Sequence, residues 1–165
     1  MKQRGVTLIQ LLFGLALVAL LTQLATASYS AMSNDLQRQA AAKQLAQALR
    51  TTRNEALLRN EVVTLQARED GWGSGWQIVL DRGEAPLLRE YSTSGRVTIL
   101  GNQPVARQVR FSGLGVPLRE GSAFLAGSLQ ICSEPGEKKL YQIVLSRTGR
   151  VSLRHEQPVK RLCPD

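Results

Sequence analysis

Five basic residues crowd the end of the chain, Arg147, Arg150, Arg154, Lys160 and Arg161, and Cys132 and Cys163 bracket them. A guanidinium fork matches phosphate oxygens, so contact with a double-stranded DNA backbone is sound chemistry for this stretch. A solvated basic face, or one that meets another protein, is the alternative. Strand alternation over Val151 to Arg154 sends Arg150, Ser152 and Arg154 to one face. With no aromatic residue between Arg147 and Arg161, stacking on single-stranded bases has no support. The single histidine, His155, adjoins Glu156 and follows Ser152, yet no nucleophile-elbow pattern surrounds any serine, so the chain does not read as an enzyme. One histidine and two cysteines also leave no self-contained metal site, and nothing calls for a cofactor or a small-molecule substrate. On the exported side of a membrane the cysteine pair reads as a disulfide, with two free thiols as the other reading. The spacing is not C-x-x-C, which argues against redox catalysis.

The elements that must place these residues begin with a long helix. The chain has 165 residues, 43% of them hydrophobic, and a formal net charge of +8, enough for one globular unit with an appendage. Lys2 and Arg4 are followed by no charge until Asp35, and Val6 to Leu24 is nearly all apolar. As a helix that run reaches about 29 Å, close to the roughly 30 Å of bilayer hydrocarbon. Basic residues before it predict a cytoplasmic start and an exported remainder, a single pass through an inner membrane. The same features followed by Ala25-Thr26-Ala27 also fit a cleaved secretory signal. No proline occurs before Pro86 and no glycine between Gly14 and Gly71, so the helical pattern continues to about Asn60. Ala41, Leu45, Ala48, Leu49, Thr52 and Ala56 form its inner stripe, while Arg38, Lys43, Arg50, Arg53 and Glu55 fall on other faces.

Beyond Asn60 the period becomes strand-like. Val62 to Gln66, Trp76 to Leu80, Leu87 to Tyr91, Val97 to Leu100, Val109 to Phe111, Phe124 to Cys132, Leu140 to Ser146 and Val151 to Arg154 are the strand candidates. Thr148-Gly149 reads as a tight hairpin turn. One long helix before roughly six to eight strands predicts an α+β domain whose antiparallel sheets bury the helical stripe. The segment Gly71-Trp72-Gly73-Ser74-Gly75-Trp76 reads as a flexible turn that delivers Trp76 to a core strand, with Trp72 over its start. It is no phosphate loop, because neither Gly-Lys-Ser/Thr nor a helix follows.

Several of these segments carry a resemblance. Arg4-Gly5-Val6-Thr7-Leu8-Ile9-Gln10 resembles the class III signal of type IV pilins and type II secretion pseudopilins. The resemblance implies that a prepilin peptidase cuts between Gly5 and Val6 and methylates Val6. Residues 1–5 are then the leader, 6–27 the transmembrane half of the helix, and 28–165 a periplasmic domain with helix over 28–60 and β structure over 61–165. The family usually has glutamate at the position of Gln10, where it pairs with a neighbouring subunit's amino terminus in the filament core. An amide loses the charge-assisted part of that bond, about 1.5–3 kcal/mol against about 1 for a neutral one, which suits a subunit present in few copies. Three further segments resemble the GspH/FimT minor pilins: Trp72 to Asp81, Arg53-Asn54-Glu55-Ala56, and Ser146-Arg147-Thr148-Gly149-Arg150-Val151. The family's fold is the type IV pilin fold. It implies partners among other major and minor pilins, in pilus assembly by priming or capping, or in type II secretion. Members that capture DNA carry Gly-Arg-x-Arg near the C-terminus; here Gly149-Arg150 is present and Ser152 takes the second arginine's place.

Overall fold

The computed structural model describes residues 7–93, 95, 97–119, 125–132, 140–155 and 161–164, the side chains of 23–28 and 31 excepted. Two compact units divide the chain, residues 1–36 and 37–165.

Helix α1 covers Leu8–Arg59, 52 residues. Half of a capping box starts it, the Thr7 amide donating to Gln10 Oε1 at 3.1 Å, while the Gln10 amide closes the first turn on the Thr7 backbone carbonyl at 3.0 Å. It ends in a Schellman turn, in which Asn60 adopts φ 52° and the Glu61 amide bonds the Ala56 carbonyl at 3.3 Å. In the N-terminal unit the described apolar side chains of α1 are exposed on all sides, from Leu8 (78%) through Phe13 (72%) to Leu21. Among the described residues no helix is long and apolar enough to cross a membrane. Within the 6–27 stretch the described side chains run from Thr7 to Thr22, short of the roughly 20 residues a span needs; for 23–27 the backbone alone is described, and Val6 lies outside the described residues.

In the second unit the expected stripe is buried: Ala41, Leu45, Ala48, Leu49, Thr52 and Ala56 belong to the core. Arg38 departs from expectation. It is buried, because it lies one turn before Ala42 and two before Leu45 and so shares their face.

Nine strands are found among the described residues, β1 (Val63–Arg68), β2 (Gly71–Leu80), β3 (Leu87–Ser92), β4 (Ile99–Gly101), β5 (Gln108–Phe111), β6 (Pro117–Leu118), β7 (Gly127–Ile131), β8 (Tyr141–Leu145) and β9 (Val151–Arg154). They form two antiparallel sheets, ordered β3-β2-β1-β5-β6 and β4-β7-β8-β9. Pairing of Val63 with Leu80 and Phe111, and of Leu65 with Ile78 and Val109, stacks one apolar row on the inner face of the first sheet. Leu129 against Ile143 and Leu145 against Val151 do the same in the second, and the helical stripe joins both in one core.

The glycine-rich segment differs from its expected role as a flexible turn. All of it belongs to β2, which bulges away from β1 between the pairs Ala67–Trp76 and Arg68–Gly71. At the bulge the Trp72 indole Nε1 donates to the carbonyls of Val105 at 3.1 Å and Ala106 at 2.9 Å, in the segment between β4 and β5. The glycines allow close backbone approach. A Cβ on Gly73 would lie 2.7 Å from the Val97 carbonyl oxygen, and one on Gly75, at φ +126°, would overlap the Tyr91 carbonyl.

Candidate functional site

The residues singled out from the sequence fall in three places. Gly5 and Val6, the cleavage and methylation positions, lie outside the described residues, as does Lys160. Gln10 is exposed on the first turn of α1, and its side-chain carbonyl is engaged in that helix's own cap. Cys132 and Cys163 are joined in a disulfide with Cα atoms 5.6 Å apart. Beside the bond, the Leu162 amide donates to Oε1 of the buried Gln130 at 2.7 Å, which holds the tail against β7.

Arg147 and Arg150 are exposed at the β8–β9 hairpin, and Arg154 is exposed at the end of β9. Arg154 pairs across to Gln142 and Ser152 to Val144, so the expected alternation of Ser152 and Arg154 holds. Arg161 belongs instead to the tail beside Cys163. The structure therefore gathers Arg147, Arg150 and Arg154 along one hairpin, while Arg161 sits on the tail that the Leu162 amide ties to Gln130. The His155 ring meets Tyr141 edge-on, with centroids 5.2 Å apart.

The hairpin turn is built from hydroxyls and one glycine. Ser146 Oγ accepts from the Arg150 amide at 3.0 Å and lies 2.9 Å from Thr148 Oγ1, while the Gly149 amide donates to the Ser146 carbonyl at 3.0 Å. Gly149 has φ +80°, a region closed to most side chains. Helix α1 reaches the turn from the other side. Arg50 donates to the Val151 carbonyl at 3.2 Å, and Arg53 Nε donates to the Gly115 carbonyl at 2.9 Å. That same Gly115 carbonyl sits where a Cβ on Gly149 would be. Two segments far apart in sequence, the Arg53-to-Ala56 helix end and the Ser146-to-Val151 hairpin, thus meet through the loop 112–116. The sequence reading missed this loop, and the only signal it offered was the pair Gly113 and Gly115.

This junction makes a prediction. Gly149→Ala is expected to lose at least about 2 kcal/mol in urea unfolding, from the left-handed backbone and the overlap with Gly115. Gly83→Ala, at φ +43° with no atom within 4 Å of a Cβ, carries the backbone cost alone, so the difference between the variants isolates the overlap.

Comparison with known proteins decides the family. The model of the family described as "Type II transport protein GspH" matches residues 41–149. The chain belongs to the GspH family. Two crystal structures of the type IV minor pilin FimU of Pseudomonas aeruginosa share the fold. One is 25% identical, with a TM-score of 0.60, and the match covers 70% of this chain and 91% of that one. The other is 23% identical, with a TM-score of 0.59 and 70% and 87% coverage. No curated protein matches the sequence. The GspH-family match spans the C-terminal part of α1, strands β1 to β8 and the hairpin turn as far as Gly149, so all three resembling segments lie in it or at its edge. The α+β architecture is the type IV pilin fold, and the chain is a GspH/FimT-type minor pilin. Pilins of this kind are structural subunits that associate with other pilins.

Proposed function

We propose that this minor pilin takes part in type IV pilus assembly, priming or capping the filament, after cleavage at Gly5 and membrane insertion through the first half of α1. The carrying observation is the first turns of α1, whose apolar side chains are exposed on every side. A helix apolar all round needs lipid or other helices around it, and a filament core supplies the second once the subunit leaves the bilayer. The cap formed by Gln10 supports a subunit used in few copies, since its carbonyl is already satisfied within its own helix. The type II secretion machine is the second reading, supported by the description of the matching family. DNA capture is a third, resting on the exposed Arg147, Arg150 and Arg154.

Deletion in the native host separates these. Loss of surface pili, restored by the full chain, is the expected result. Retained pili with lost exoprotein release would transfer the subunit to secretion, and retained pili with lost DNA uptake would make it a receptor. The intact mass of the mature chain checks the anchor: cleavage after Gly5 with one added methyl is expected, and a chain starting at Ser28 would overturn it.

A further inference from the structure

The end of the globular unit where α1 stops carries apolar side chains that the fold leaves uncovered. Leu58 is 82% exposed, Leu57 44% and Leu114 79%. The loop 112–116 sets Leu114 beside the helix end, since a Cβ on Gly113 would touch Asn60 and one on Gly115 would touch Leu57. The same loop abuts the Gly149 turn, which places the exposed Arg147 and Arg150 at the border of this apolar group. Neither arginine has an ion pair among the described residues, whereas the acids near this end are taken: Glu55 binds Arg59 at 3.0 Å and Glu61 binds Arg82 at 3.1 Å. The border is therefore positive.

From this we infer that the end of α1 and the loop 112–116, with the exposed Leu57, Leu58 and Leu114 and with Arg147 and Arg150 beside them, form a docking surface for a different protein that presents apolar side chains flanked by carboxylates. A second copy does not fit, because a twofold contact through this patch would face unpaired arginines with arginines, and each chain already carries a net charge of +8. Nucleic acid would satisfy the guanidinium groups and leave Leu58 and Leu114 in water. A protein covers both, with an apolar centre and a charged rim. The inference goes beyond the assembly reading and does not depend on which machine the subunit serves.

A photo-crosslinking amino acid placed at Leu58 or at Leu114 of the full chain, in the native host, tests it. Leu87, exposed on β3, serves as the control position. The expected adduct joins both positions to one segment of another protein, mapped by mass spectrometry and rich in Asp or Glu. Arg147→Glu with Arg150→Glu is expected to lower its yield by about ten-fold. Reversing the mapped carboxylates to lysine should restore it. Arg154→Glu, further along β9, should leave the yield unchanged, and circular dichroism checks that each variant folds. Adducts to a second copy or to DNA, no adduct above the Leu87 level, or a yield indifferent to the charge reversals would each overturn the proposal.

Discussion

Replacing Trp72 with alanine is expected to remove a large part of the stability of the fold. Deleting a fully buried indole costs about 3–5 kcal/mol through lost burial and the cavity left behind, against a total of about 5–15 kcal/mol for a typical domain. Trp76→Ala removes the same volume from an equally buried place, so the alanine variants do not isolate what is particular to Trp72. Phenylalanine does. Trp72 Nε1 serves the carbonyls of Val105 and Ala106, at the end of the 3-10 turn Gln103–Val105, and so ties the β2 bulge to the segment that leads into β5. Trp76 Nε1 is buried with no partner among the described residues, while its ring stacks on Tyr91 at 6.1 Å. Both phenylalanine variants lose one ring, but only Trp72→Phe loses hydrogen bonds and strips the buried Val105 carbonyl of its indole donor. It should therefore cost about 1–3 kcal/mol more than Trp76→Phe. Urea unfolding of the detergent-solubilised full chain, followed by far-ultraviolet circular dichroism, reads both. Equal midpoints would show that the indole bonds contribute nothing net.

That contrast marks where sequence reasoning succeeded and where it stopped. Helix α1 was legible because a run free of proline and glycine kept Leu45, Leu49 and Ala56 in phase, and both its ends are set by local chemistry, at Thr7–Gln10 and at Asn60. Most strands were legible from alternation, and the Cys132–Cys163 bond from an even pair beyond an apolar segment. Arg38 is buried against expectation because helical phase outweighs charge at its position, one turn before Ala42. The Gly71-to-Trp76 segment was misread because glycine signals either a turn or a close backbone approach, and only the partner strand decides between them. Short elements escaped for the same reason: Pro117–Leu118 is a strand only because β5 lies beside it. The contact of Arg53 with Gly115 spans 62 positions, and no local pattern encodes it. The docking surface inferred above depends on that contact, which is why the basic hairpin alone, read from the sequence, leaves DNA contact and a solvated or protein-contacting face both open.

Removing the disulfide should have the second large effect. The chain-entropy argument assigns about 3.7 kcal/mol to a loop with a sequence separation of 31, within the 2–5 kcal/mol usual for native bonds in small exported domains. Here the bond does more than shorten the unfolded chain. It fixes the tail beside β7, where the Leu162 amide meets Gln130 Oε1 at 2.7 Å and Gln130 is buried to 1% exposure. Once the bond is absent, that tail is held there by far less, and the Gln130 carboxamide loses a donor whenever the tail leaves. Cys132→Ser with Cys163→Ser should therefore lower the urea midpoint and also speed hydrogen exchange at the Leu162 amide, under conditions where the β8 amides stay protected. Gln130→Ala in the bonded chain removes a fully buried side chain as well as the bond to Leu162, about 2–4 kcal/mol, but should leave the tail tethered. If Gln130→Ala released the tail as fully as the double serine variant, the hydrogen bond would be the clasp and the sulfur bridge merely its reinforcement. If the serine variant lost stability with no change at Leu162, the bond would act on the unfolded chain alone.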